Sequence, residues 1–444
     1  MQEAISKENL EAFSEHFRSD PHNQVAMRAV VSTGVNKAAA NHESMRHQRH
    51  EFSISLKQGE ITNQKQSGRC WMFAALNTMR FQVIKKLNLE TFELSQSYPL
   101  FYDKLEKSNY FLESILETLE EPTDGRLIAY LLQDPLGDGG QWDMFCSLVE
   151  KYGVVPKDAM PESVSSSATR EMSSWMTRKL REYACILRAA YRKGASAQEL
   201  RASKDEMMDT VYRMLCVCLG EPPKRFTFEV RDKEDQFIRD RDITPQEFYA
   251  KYVGLDLSQY ISLINAPTAD KPYGRSFTVK FLGNVRGGRP VRYLNVTSDE
   301  LKQAAIRQLQ DQEPVWFGCD VGAFSLRDGG LLDLDCLKTD ELFQTQWKLN
   351  KAERLDYGQS LMTHAMVFTG VNLDEGGRPD RWRVENSWGK EAGKDGYYVM
   401  SDEWFDEYTY QVVVNRKYLT KEQLDQYESD PVVLEPWDPM GSLA

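Results

Sequence analysis

Between residues 70 and 87 the apolar positions Met72, Ala75, Leu76, Met79, Val83 and Leu87 stand three, four and seven apart. That spacing predicts a helix burying one stripe. The preceding residues 51–69 carry Gly59, Asn63, Ser67 and Gly68 and read as a loop, so Cys70 falls at or near the helix N-terminus. Residues 1–50 are polar with Leu10, Phe13 and Phe17 at helical spacing, and residues 95–133 and 141–151 also read as helical, with the turn Gly137-Asp138-Gly139-Gly140 between them. Residues 165–220 are helical again, and 221–270 mix short strand and turn signals. After Pro272 the pattern changes to strands, at 276–282, 291–296, 314–321, 361–370, 381–386 and 397–400. The last stretch, 428–444, holds Pro431, Pro436 and Pro439 and is expected to be an extended arm without regular structure.

Composition narrows the classes. The 444 residues are 41% apolar and 27% charged, a globular balance. The net charge of −12 speaks against non-specific nucleic-acid binding, which needs phosphate neutralisation. No charge-free run of 18 apolar residues occurs, so no membrane span is expected, and residues 1–13 lack the apolar core of a signal peptide. Seven widely spaced cysteines suit free thiols in a reducing cytoplasm. His42 and His47 are five apart and lie on different sides of a helix, and Cys216 and Cys218 have no neighbouring ligand set. No metal or cofactor is therefore expected.

The candidate chemistry lies in three separate segments. A cysteine at a helix N-terminus feels the positive end of the macrodipole, so the Cys70 thiol is expected to be lowered toward the nucleophilic thiolate. Gln64, six residues upstream, is placed to aim its amide at the space facing the Cys70 backbone N–H, and two such donors make an oxyanion hole. His364 stands alone in an apolar run, where a histidine is commonly a satisfied core residue. A partner changes that reading. Alternation puts Trp382, Val384 and Asn386 on one face of a strand. The Asn386 carbonyl would accept from one ring nitrogen of His364 and leave the other free for proton work, with Trp388 covering the bond. Gly68 would let the backbone approach a substrate closely.

Taken together, Gln64 through Ala74, the Gly-Asp-Gly-Gly-Gln-Trp at 137–142, residues 361–370, Asn386-Ser387-Trp388-Gly389 and the closing residues 436–444 resemble the papain-like cysteine peptidases, in their bleomycin hydrolase / aminopeptidase C branch. The resemblance covers nearly the whole chain. It implies an α+β fold with a papain-like two-lobed core, divided as an N-terminal helical segment (1–50), a helical lobe with the nucleophile (51–160), a helical insertion for assembly (161–265), a β-barrel-like lobe with His364 and Asn386 (266–427) and a C-terminal arm in the active-site cleft (428–444). It implies a thioester-forming cysteine aminopeptidase assembled as a homohexamer, acting on peptides with a free N-terminus. The terminal carboxylate on Ala444 would pair with the substrate α-ammonium, and Gly139 and Gly140 would let the cleft wall bond to extended substrate backbone. Two alternatives stay open: a catalytically idle scaffold of the same fold, and an acyl or amide transferase.

Overall fold

The structure, a computed structural model, describes residues 4–443. Two lobes face each other along the helix α1 (Cys70–Leu87), most of whose residues are buried. On one side lie α2 (Ser97–Glu117) and α3 (Trp142–Tyr152), with the long helices α4 (Arg170–Arg192) and α5 (Ala197–Leu219) packed on α2. The stretch 95–133 is broken by a turn at 118–125, and a second helix, Arg126–Gln133, follows it. The mixed stretch contains the hairpin Phe226–Arg231/Phe237–Ile243, whose Phe228 packs with Phe248 and Tyr252.

The other lobe is built on one long sheet. Its strands are β1 (Tyr260–Ile264), β2 (Arg275–Val279), β3 (Tyr293–Asn295), β4 (Val315–Cys319), β5 (His364–Leu373), β6 (Pro379–Glu385), β7 (Tyr397–Ser401), β8 (Thr409–Asn415) and β9 (Val432–Leu434). They run in the order β9-β2-β3-β1-β8-β4-β5-β6-β7, with two-residue strands completing the β7 edge. The helix α6 (Ser298–Gln310) covers the sheet, packing Leu301, Ala305 and Leu309 into the core of Phe317, Met366, Phe368, Trp382 and Val384.

Register decides what reaches the cleft. Along β5, Met366 and Phe368 face this sheet-lobe core, while Ala365 and Val367 join the core shared with α1. Side chains alternate along a strand, so His364 begins β5 on the side of Met366, and Asn386 follows β6 on the side of Trp382 and Val384.

Two expectations are corrected. The arm is not wholly irregular, because β9 fits between Pro431 and Pro436 and pairs parallel with β2; neither proline has to donate to the ladder. The strand expected at 361–370 begins only at His364, and the carbonyl of Met362 instead accepts a bond from the arm. Among the described residues no helix is long and apolar enough to cross a membrane.

Candidate active site

No side-chain cap starts α1. The loop before it is pinned at several points instead. Ser67 Oγ donates to the Gln64 carbonyl at 2.6 Å and accepts from Arg69 Nε at 2.8 Å. The fully buried Arg69 grips Glu162 with two bonds of 3.1 and 2.9 Å. The Gly68 N–H donates to Asp138 Oδ2 at 3.0 Å, and a Cβ on Gly68 would lie 2.8 Å from Asp138 Cβ. Glycine is thus required at 68 by the approach of Asp138, and no substrate is needed to explain it. Gly140 has a similar reason: a Cβ there would lie 2.5 Å from the Trp71 ring. The Gly139 carbonyl, a candidate substrate acceptor, already accepts from Lys107 Nζ at 2.6 Å.

Asp138 organises this wall. Lys104 and the Thr169 hydroxyl donate to its carboxylate, and its own carbonyl accepts from Trp71 Nε1 at 2.8 Å. Burial raises an isolated carboxyl, but here Lys104 and the bonds from Thr169 and Gly68 outweigh it and hold Asp138 well below the ordinary carboxylate range. The sequence reading missed this network. Lys104 and Lys107 stand three apart on one face of α2, which places them together, but nothing in the sequence says that this face is buried.

His364 donates from Nε2 to Asn386 Oδ1 at 3.0 Å, so Nδ1 is the nitrogen left to accept a proton. The Trp388 ring lies over the imidazole at 4.8 Å between centroids, and Arg327 covers the Trp388 ring at 4.4 Å. Cys70 and Ala365, the residue after His364, share one buried cluster, which brings α1 and β5 together at the site. Gln64 is buried in the same loop; its backbone N–H donates to the Ser387 carbonyl at 2.8 Å. Its side-chain amide donates one hydrogen to the Ser67 carbonyl at 2.7 Å, which leaves the second N–H for a ligand.

The electrostatics differ from expectation. Burial pushes the Cys70 thiol up to about 11, although the N–H groups of Ala365, Trp71 and Cys70 itself pull the other way. Burial also pushes the imidazole of His364 down to about 4, against the favourable bond to Asn386. At the enclosed end of this helix, desolvation outweighs the macrodipole. Each group taken alone is neutral at pH 7, and charge separation requires both to ionise together by proton transfer between them. Such a pair titrates as a unit and holds one proton between its two outer ionisations. The expected pH profile of kcat/KM therefore has an acid limb below 6.5, the ordinary imidazole value, and an alkaline limb above 9.0, the ordinary thiol value. Steady-state assays from pH 4 to 11 on an enzyme shown to stay folded check this.

The end of the arm bonds to segments beside the site. Ser442 Oγ donates to the Met362 carbonyl at 2.6 Å, and the Ser442 carbonyl accepts from Gln141 Nε2 at 2.6 Å. Met362 lies two residues before His364 and Gln141 directly follows Gly140, so Ser442 bridges the two lobes. Upstream the arm is held by Lys271 on Asp438 at 2.8 Å, the Tyr293 hydroxyl on the Met440 carbonyl at 3.1 Å and Arg126 over the Trp437 ring at 3.9 Å. Ala444, expected to carry the substrate-pairing carboxylate, lies outside the described residues.

Known proteins resemble this chain along its whole length. A profile of the Peptidase C1-like family matches residues 4–441. The chain is 49% identical to aminopeptidase C of Listeria monocytogenes over 444 residues, all of both chains. It is 43% identical to human bleomycin hydrolase over 449 residues, 99% of each. The crystal structure of PepW from Lactobacillus rhamnosis HN001 superposes with a TM-score of 0.97 at 50% identity, covering 100% of both chains. With a cysteine-bearing helical lobe set against a histidine-bearing sheet lobe, and a profile that spans almost every residue, the chain belongs to the papain-like Peptidase C1-like family.

Proposed function

We propose that Cys70, His364, Asn386 and Gln64 are the catalytic centre of a cysteine aminopeptidase that removes N-terminal residues from peptides. The observation that carries this is the His364–Asn386 bond, presented where the Cys70 end of α1 packs on β5, in a chain that matches aminopeptidases C end to end. The Cys70 proton passes to His364 Nδ1 and the thiolate attacks the scissile carbonyl. The Cys70 N–H and the second N–H of the Gln64 amide stabilise the oxyanion. The imidazolium then protonates the leaving amine as the C–N bond breaks, which leaves a thioester. Neutral His364 removes a proton from water, the resulting hydroxide attacks the thioester, and Cys70 leaves with the proton restored. Asn386 keeps the imidazole in the tautomer this cycle needs.

The arm supports the choice of exopeptidase action. Ser442 is tied to both walls of the groove, and two further residues reach about 7 Å beyond it. That reach would set the Ala444 carboxylate as the partner of a substrate α-ammonium and close the groove to a longer chain. Gly139 and Gly140 directly precede Gln141, whose side chain holds the Ser442 carbonyl, and would offer extended backbone to the substrate there. Fluorogenic aminoacyl amides with a free amine should turn over at least about 100-fold faster than their N-acetyl counterparts, the worth of roughly 3 kcal/mol of charge-assisted bonding. Equal rates would refute the aminopeptidase reading.

The homohexamer and the cytoplasmic location belong to the same proposal. The N-terminal helices Lys7–Ser19 and Pro21–Thr33 have no buried residue, and Leu10, Phe13, Val25 and Val31 are exposed. An apolar hook of this size is covered in an assembly of copies. Light scattering should return six times the 51.2 kDa chain mass; a monomer mass would remove the assembly.

A further inference from the structure

One guanidinium joins the three segments that carry the proposed site. Arg80 lies on α1, ten residues after Cys70. Its Nη2 donates to Glu385 Oε1 at 2.7 Å and its Nη1 donates to the Glu60 carbonyl at 2.6 Å. Glu385 ends β6 and directly precedes Asn386; Glu60 begins the segment that leads to Gln64. Both side chains of the ion pair are at most 1% exposed. A second polar link runs beside it. Asn77 Nδ2 donates to Thr62 Oγ1 at 3.1 Å, and Thr62 Oγ1 donates to Ser387 Oγ at 3.1 Å. At 100° per residue, Cys70, Asn77 and Arg80 fall within about 80° of one another around α1. The helix face that carries the sulfur is therefore bonded, through buried polar groups, to the residues on either side of Asn386.

Stability gives no reason for this arrangement. A buried ion pair costs more desolvation than apolar side chains of similar volume. Here Glu385 Oε2 and Arg80 Nε also have no hydrogen-bond partner among the described residues, and burial pushes the Glu385 carboxyl up despite Arg80. What the pair does supply is register. Val367 of β5 pairs with Glu385 of β6, so a shift of β6 along α1 would carry Asn386, and with it His364, away from the sulfur.

We infer that Arg80 is a positioning residue: its bonds to Glu385 and Glu60 set Asn386 and Gln64 relative to the Cys70 helix. The inference rests on the proposed assignment of Cys70, His364 and Asn386. Arg80 is buried against Glu385 and Glu60, out of reach of a substrate, so it acts on kcat and on the ionisation of the Cys70–His364 pair and leaves KM alone.

The test compares wild type, Cys70→Ser, the double variant Arg80→Met/Glu385→Leu and Arg80→Lys. It measures thermal midpoint, kcat, KM, and the pH dependence of Cys70 alkylation by iodoacetamide without substrate. The double variant fills the site with apolar groups and should fold with an equal or higher midpoint. Its kcat should fall roughly ten- to hundredfold, as small misplacements of reacting groups do, with KM within about twofold and Cys70 alkylation slower at pH 6. If the double variant does not fold, Arg80→Lys decides, since an ammonium can face Glu385 but cannot span to Glu60 in the same geometry. A kcat loss of about threefold or more at constant KM supports the inference. A folded double variant with wild-type kcat and an unshifted alkylation profile overturns it, as does wild-type kcat in Arg80→Lys if the double variant is unfolded. Activity retained in Cys70→Ser would instead overturn the site assignment, so the two failures are told apart.

Discussion

Cys70→Ser lowers kcat for aminoacyl amides by at least about 10⁴-fold, the scale seen when a nucleophile acting with a histidine base is removed. The reason lies in the pair. The thiol at 3% exposure already needs concerted proton transfer to His364 to become charged, and a hydroxyl is a far weaker acid in the same enclosure. The substitution is nearly isosteric, and the sulfur fills no large cavity, so the thermal midpoint should move by less than about 4 °C, corresponding to roughly 1 kcal/mol. A folded Cys70→Ser enzyme that keeps more than a tenth of its turnover would place the nucleophile elsewhere. Cys185 is exposed, whereas Cys146, Cys319 and Cys336 are buried. Total alkylation rates with bulky reagents will therefore favour Cys185, and Cys70 is read with a small reagent, by loss of activity or by mapping its own peptide.

Removing Leu443 and Ala444 should change which substrates are cut more than how fast they are cut. The upstream anchors at Asp438, Met440 and Ser442 remain, so the chain still crosses the groove but its terminal carboxylate retreats by about 7 Å. The preference for a free amine should drop by roughly 10- to 100-fold, equivalent to about 1.5–3 kcal/mol for a charge-assisted hydrogen bond. N-acetylated peptides should become measurable substrates. Product analysis by mass spectrometry checks this: internal cleavage products in the truncated enzyme support the arm as the selector, and an unchanged ladder of single-residue losses contradicts it.

The sequence revealed the site more fully than it revealed the site's environment. His364 and Asn386 were legible because strand alternation holds at both ends: Trp382 and Val384 do face one core, and the amide that follows them finds the imidazole. The helix α1 was legible from its periodicity, but its burial is not confined to one stripe: every residue from Cys70 to Phe81 is buried and Leu87 is half-buried. The ionisation of Cys70 was not, because the macrodipole is visible in a sequence whereas the depth of enclosure is not. Gly68 and Gly140 were marked for a substrate's approach; the folded chain adds a reason the sequence does not show, since a Cβ would meet Asp138 at one and the Trp71 ring at the other. The helix α6 was missed in a stretch read as strands, although Thr297 and Glu300 form a capping box before it. That signal was present, and its polar surface face hid it. The Arg80–Glu385 pair joins positions 305 residues apart, a contact only the folded register produces.

The most direct measurement is the mass of the enzyme during turnover. Quenching a slow aminoacyl ester substrate in acid and mapping the peptides should show one aminoacyl group per chain, bound as a thioester at Cys70 and absent from Cys70→Ser. Full turnover with no acyl group on Cys70, or with the group on another residue, would contradict the account.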